Sequence, residues 1–333
     1  TSINLKGWSL SLEEDHSKAW KITTQVSIPA KGYLLIYCDK VGEGLHASFR
    51  LESGKGGNLY LFDSSAKQID AVLNIPKQPA PNTVRGRLTD GASEWVWFLN
   101  PTPAAKNEGK TSSVLLPAPE FDVKGGVYKS SVTVTLSVPK DVPSDVNSSH
   151  IRYTLDCSEP TASSPSYNSP LSIFSTKVLK AKIIHPDYLS AWSQTHTYII
   201  TSKDYALPVV SISTDNEYLN DSEFGIYVKG NGKYGADIGD GNGKCNWNQD
   251  WRRPMVFEYF ADPKTEAVLN QLGEFRMAGG WSRANAQKSF ILYANKRFGD
   301  KKRYDYPLFS KKPDQEIKCF MLRMSRTDFC WMQ

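Results

Sequence analysis

Short apolar runs separated by turn residues dominate the chain. In the first hundred residues "GYLLIYC", "NLYLF" and "EWVWF" are divided by Gly, Pro, Asn and Asp, the pattern of short antiparallel strands packed as a sandwich. From residue 119 to 201 the habit repeats. "SVTVTLSV", "HIRYTLD", "VLKAKII" and "QTHTYII" place β-branched or aromatic residues at alternate positions, predicting a second small β-sandwich. After "YALP", the runs "VVSIST", "FGIYVKG", "PMVFEYF", "GEFRMAG", "SFILYAN" and "IKCFMLRM" predict a third, mostly antiparallel sheet. No segment shows the sustained 3.6-residue period of an amphipathic helix. The expected fold is therefore mainly β, in units at 1–107, 119–201 and 207–333. Residues 108–118, within a Pro-, Ala- and Ser-rich stretch without periodicity, read as a linker.

Composition adds little to that picture. A chain of 333 residues with 40% hydrophobic and 23% charged residues can bury a sizeable core. The net charge of +5 is spread along the chain, and no basic stripe surrounds "EWVWFLNP", which argues against nucleic acid as a partner. No apolar run approaches the length that spans a bilayer. Cys38, Cys157, Cys245, Cys319 and Cys330 are odd in number and never spaced C-x-x-C, which favours free thiols over a zinc site or a disulfide framework.

The chemistry concentrates in "GGWSRANAQKS", residues 279–289. Gly279 and Gly280 allow a turn with outward amides, and Arg283 and Lys288 are charges suited to phosphate oxygens. Arg276, in "EFRMAGG", alternates into the same neighbourhood. A solvated turn between strands explains the same residues. Other motifs are weaker. Gly230, Gly232 and Gly235 form G-x-G-x-x-G with no helix after it. Asp237, Asp240 and Asn242 miss the ligand spacing of a calcium loop. The five histidines are scattered, and no catalytic constellation is identified, so no metal site is expected. Trp95 and Trp97 alternate onto one face, as core between two sheets or as a stacking platform for sugars or bases. Asn246, Trp247 and Trp251 with Arg252 and Arg253 read as a cation–π brace at a strand entry, or as a polar aromatic ledge beside a nucleotide cleft.

Three family resemblances follow one another along the chain. "LKGWSLS", "ITTQVSIPAKGYLLIYCDK", "GGNLYLFDSSAKQIDAV" and "NPTPAAKN" resemble the lamin-tail domain, an immunoglobulin-like sandwich of bacterial secreted proteins, without its usual first strand. "FDVKGGVYKSSVTVTLSV" through "SAWSQTHTYII" resembles the small sandwich appended to chitobiases and hexosaminidases, with Cys157 where that family usually has Gly. "LPVVSISTDNEYLND", "NWNQDWRRPMVFEYF" and "GEFRMAGGWSRANAQKSFILYANKRFG" are similar to the amino-terminal part of CotH-type kinases, the spore-coat protein kinase family. That resemblance implies an atypical kinase using ATP and magnesium, with Lys288, Arg283 and Arg276 gripping the nucleotide. It also implies that the metal-binding carboxylates lie downstream of Gln333, so that residues 1–333 are inactive by themselves. The three resemblances together imply a secreted or envelope-associated bacterial protein whose β modules contact a protein or envelope component. A non-enzymatic adhesion protein with a degenerate kinase-like part is the alternative.

Overall fold

The computed structural model describes residues 1–80, 83–231, 245–262, 266–295, 297–299, 301–309, 311 and 316–324. It is mainly β, with one five-residue α-helix and four 3-10 turns among these residues. Contacts divide the chain into two compact units, Thr1–Leu116 with His185–Ala191, and Pro117–Ile184 with Trp192–Gln333.

In the first unit, strands Trp20–Lys21, Ser9–Ser11, Gly57–Phe62 and Gln68–Ile75 form a sheet in that order, and Val84–Arg87 pairs with Trp95–Phe98 as a separate hairpin. The core holds Leu5, Leu10, Trp20, Ile22 and Ala47. "GYLLIYC" departs from the expected strand. Its side chains do alternate: Leu34, Ile36 and Cys38 pack on the core while Tyr33, Leu35 and Tyr37 are exposed. Backbone pairing nevertheless reduces to isolated bridges, Tyr37 with His46 and Asp39 with Arg50, so the side-chain period survives without a ladder. The stretch read as a linker is tied down at both ends. Leu99 N–H donates to Lys110 O, Ser112 N–H donates to Trp97 O, and Leu115–Leu116 pairs in parallel with Leu189–Ser190, burying Leu116 completely.

The second unit contains two sheet systems. The first orders Gly126–Tyr128, Gln194–Ile200, Lys177–Ile183 and Ile151–Thr154 in one sheet, with the pairs Val132–Val134 with Leu171–Ile173 and Glu120–Phe121 with Leu136–Ser137 completing the module. Val134, Leu136, Ile151, Ile173, Leu179, Ile183 and Tyr198 are buried. Cys157 stands at φ +72°, the left-handed region in which glycine is unstrained.

The second system is a five-stranded antiparallel sheet, ordered Val209–Ser213, Arg253–Phe260, Leu269–Ala278, Ser289–Tyr293 and Cys319–Leu322. Five of the six runs expected as strands form it. The sixth, "FGIYVKG", does not: the amides of Ile226 and Tyr227 donate back to Tyr218 and Leu219, folding the run against the short helix Asn216–Asn220, which Asp215 caps. Ile226 is buried there with Met255, Phe257 and Phe275, so the apolar pattern serves the core without entering the sheet.

Strand Gln194–Ile200 of the first module meets strand Arg253–Phe260 of this sheet through one buried carboxylate. Glu258 is 0% exposed; its Oε1 and Oε2 accept from Thr197 N–H at 3.1 and 3.0 Å, and Asn270 Nδ2 donates to Oε1 at 3.1 Å. Desolvation raises its pKa to about 7 against these hydrogen bonds, which favour the charged form.

Candidate anion site

Strands Leu269–Ala278 and Ser289–Tyr293 are joined by the turn that carries the candidate residues. Gly279 adopts φ +98°, and a Cβ there would lie 2.1 Å from Ser282 Oγ, so glycine is what lets the strand turn sharply. Trp281–Ala284 follows as a 3-10 turn in which Arg283 N–H donates to Gly280 O at 3.0 Å. Trp281 is itself 70% exposed.

Lys288 closes this turn from beneath. Its Nζ donates to Arg283 O and Asn285 O, both at 2.6 Å, and lies 4.3 Å from the Trp247 ring centroid and 5.0 Å from that of Tyr227. The residue is only 6% exposed, and burial holds its pKa below the ordinary lysine value. Two carbonyl dipoles and two aromatic faces thus solvate the ammonium. As the ladder pairs Ala278 with Ser289, Lys288 sits just outside the sheet, where its stem reaches under the loop.

The arginines present their charge differently. Arg283 Nη1 donates to Asn248 O at 3.0 Å, and its buried Nε has no hydrogen-bond partner. Desolvation lowers its pKa first and the Arg276 charge second, while Asp250 acts in the opposite direction. Arg276 donates from Nε to the Tyr293 hydroxyl at 2.9 Å and pairs through Nη1 with Asp250 Oδ1 at 3.2 Å. The Asp250 carboxylate is 77% exposed, so that ion pair is open to solvent and weak.

Two more arginines extend the group. Arg252 stacks 4.1 Å from the Tyr293 ring centroid and donates to buried Glu274 Oε1 at 2.6 Å; Arg297 lies 3.9 Å from Glu274 Oε2. Among the described residues, the carboxylates paired with these side chains are Asp250, with Arg276, and Glu274, with Arg252 and Arg297. Arg252 and Arg297 are offset by Glu274 and Lys288 by main-chain carbonyls, which leaves Arg276 and Arg283, sharing the exposed Asp250 carboxylate, as the charges suited to an anion with several oxygens.

The fold brings Arg276, Arg283 and Lys288 together: the first two act on each other electrostatically, and the third holds the main chain of the second. Sequence reasoning missed Tyr293, Asp250 and Glu274. The alternation of Glu274 with Arg276, and the ladder that pairs Glu274 with Tyr293, carry the signal, but the partner strand is invisible before pairing is known. Arg253 stacks over Trp251 at 5.2 Å, the contact expected of a brace at a strand entry. Gly232 and Gly235 of the glycine motif, and Asp237, Asp240 and Asn242, lie outside the described residues. Among the described residues no group of three or more His, Cys, Asp or Glu could hold a metal ion, and no helix is long and apolar enough to cross a membrane. Cys38, Cys157 and Cys319 are free thiols; Cys330 lies outside the described residues.

Comparison with known proteins supports one module. No curated protein and no solved structure matches the chain. Residues 123–197 match the chitobiase/beta-hexosaminidase C-terminal domain family, the stretch that folds as the first sheet system of the second unit.

Proposed function

We propose that the chain is part of a secreted or envelope-associated CotH-like phosphotransferase, in which Arg276 and Arg283 hold nucleotide phosphate and the β modules contact a protein or envelope component. One observation carries this reading: among the described residues Arg276 and Arg283 share a single exposed carboxylate, Asp250, and the Arg283 Nε has no hydrogen-bond partner. A triphosphate fits that charge. Lys288 serves the grip indirectly, by fixing the carbonyls of Arg283 and Asn285 and so the shape of the loop.

Magnesium does not fit the same residues. Among the described residues Glu274 is buried between Arg252 and Arg297, which leaves Asp250 as a single carboxylate, and a divalent ion needs several oxygen ligands. Phosphoryl transfer depends on metal that neutralises the transferring group, so the described residues bind phosphate without supplying that chemistry. The amino-terminal unit, read as lamin-tail-like, has no role in transfer in this proposal.

Calorimetric titration with ATP tests the reading. Binding in the high-micromolar range is expected, and Arg276→Ala or Arg283→Ala should each weaken it by about 1–3 kcal/mol, the range for a hydrogen bond to a charged group. Equal ATP affinity in the wild type and both folded variants would overturn it. A second reading, a non-enzymatic surface binding protein, is favoured by one fact: the Lys288 ammonium is already committed to two carbonyls. Under that reading ATP produces no heat in any form of the protein.

A further inference from the structure

The first unit contains a cleft of about 340 Å³, at the small end of the range for ligand sites. Its walls include Leu59 of strand Gly57–Phe62, Val72 and Ile75 of strand Gln68–Ile75, and Arg85, Trp95 and Trp97 of the hairpin, with loop residues such as Glu52 and Gln78 completing them. The hairpin register explains why these three residues meet. Arg85 pairs with Trp97 and Arg87 with Trp95, so all four side chains share one face. The opposite face carries Phe98, 3% exposed, and Gly86, whose absent side chain admits Asn107 and the Phe98 ring. The hairpin thus spends its other face on the core, and the tryptophans remain half-buried on the cleft side.

The two arginines on that face differ in their bonding. Arg87 is satisfied, with Nη2 on both Asp70 oxygens at 2.9 and 3.3 Å and Nη1 on Ala92 O at 2.5 Å. Arg85 is not: its Nη1 is buried without a hydrogen-bond partner, and its guanidinium stands 5.6 Å from the Trp95 ring centroid. The one carboxylate in the wall, Glu52, is turned to Lys55 at 2.9 Å. A guanidinium with no carboxylate bonded to it, beside the apolar part of the wall, favours a ligand that brings a counter-charge.

We propose that this cleft binds a small planar carboxylate, an aromatic acid of one or two rings, with the ring against Trp95 and Trp97 and the carboxylate toward Arg85. The wall chemistry selects this class over a neutral sugar, which needs several free hydrogen-bonding groups for its hydroxyls, whereas Gln78 and Thr83 already donate to main-chain oxygens and Glu52 is turned to Lys55. It also selects against a cation, which Arg85 would repel.

The test uses the full chain and 2-naphthoate, with 2-naphthamide as its neutral isostere and glucuronate as a charged sugar. Tryptophan fluorescence and calorimetry should show saturable binding of 2-naphthoate at least tenfold tighter than that of the amide. Arg85→Met, which retains the apolar stem, should remove that preference. Trp97→Phe should weaken both aromatic ligands severalfold. Should Trp97→Phe fail to fold, Arg85→Met and the acid-to-amide ratio still decide. Equal binding of acid and amide, an unchanged ratio in Arg85→Met, tighter binding of glucuronate, or no binding of 2-naphthoate at millimolar concentration would each overturn the proposal.

Discussion

Glu258 and His196 should make the second unit insensitive to pH only as a pair, and removing either should expose the other. His196 Nδ1 accepts from Gly125 N–H at 3.1 Å, so that nitrogen carries no proton and cannot donate to Glu258 Oε1, 3.8 Å away. The ring is neutral, its pKa lowered to about 4 by burial first and by Lys124 second. Glu258 takes the opposite course, raised to about 7 by desolvation. Between pH 4.5 and 6.5 the unfolded chain keeps one proton on the histidine, and the folded chain keeps one on the glutamate. Proton counts match, so these two groups leave stability flat across that window.

Each group alone has a slope. A carboxyl whose folded pKa is raised from 4.5 to about 7 contributes stability present at low pH and lost as pH rises through that interval, about 3 kcal/mol in all. An imidazole lowered from 6.5 to about 4 loses a similar amount, about 3 kcal/mol, as pH falls through its interval. Glu258→Gln should therefore give a stability that climbs with pH from about 4 to 6.5. His196→Asn, whose carbonyl can still accept from Gly125, should give one that declines from pH 4.5 to about 7. Hydrogen exchange of strand Gln194–Ile200, corrected for the intrinsic pH dependence of amide exchange, reads the local opening free energy directly. A Glu258→Gln profile as flat as that of the wild type would refute the reasoning.

Three further outcomes follow from the candidate site. Asp250→Asn removes the carboxylate paired with Arg276, and ATP affinity measured by calorimetry should rise several-fold, most at low salt. Lys288→Met removes both loop-fixing hydrogen bonds and should cost about 1–3 kcal/mol, seen as faster exchange over residues 280–288. Gly279→Ala forces a side chain onto φ +98° and should lower the urea midpoint by the equivalent of about 1–3 kcal/mol; an unchanged midpoint would mean the turn relaxes freely.

How much of this could be read in advance depended on what kind of information each feature needed. Alternating apolar runs such as "SFILY" and "QTHTYII" became strands because each has a partner on both sides of its ladder. "GYLLIYC" and "FGIYVKG" carry equally good patterns. They left the sheets because partner strands were missing for the first, and because the amides of the second found carbonyls in the short helix Asn216–Asn220. Arg276, Arg283 and Lys288 could be grouped from spacing around two glycines. That Lys288 turns inward to carbonyls could not, since those carbonyls belong to the loop conformation itself. Glu258 was invisible for a similar reason. In "PMVFEYF" it looks like an outward charge on a strand, and only the strand at Thr197 makes that position an interior one. Trp95 and Trp97 were placed correctly on one face, but whether that face met a core or a cleft depended on Phe98 taking the other.

The Arg276 and Arg283 guanidiniums should meet the phosphates of a nucleotide if the proposed site is right. Nitrogen-labelled protein allows the arginine Nε–Hε signals to be followed during titration with ATP and, separately, with adenosine. ATP should shift both signals, beginning with Arg283, whose Nε has no partner in the free protein, and adenosine should shift neither. Unmoved Arg276 and Arg283 signals at saturating ATP would contradict it.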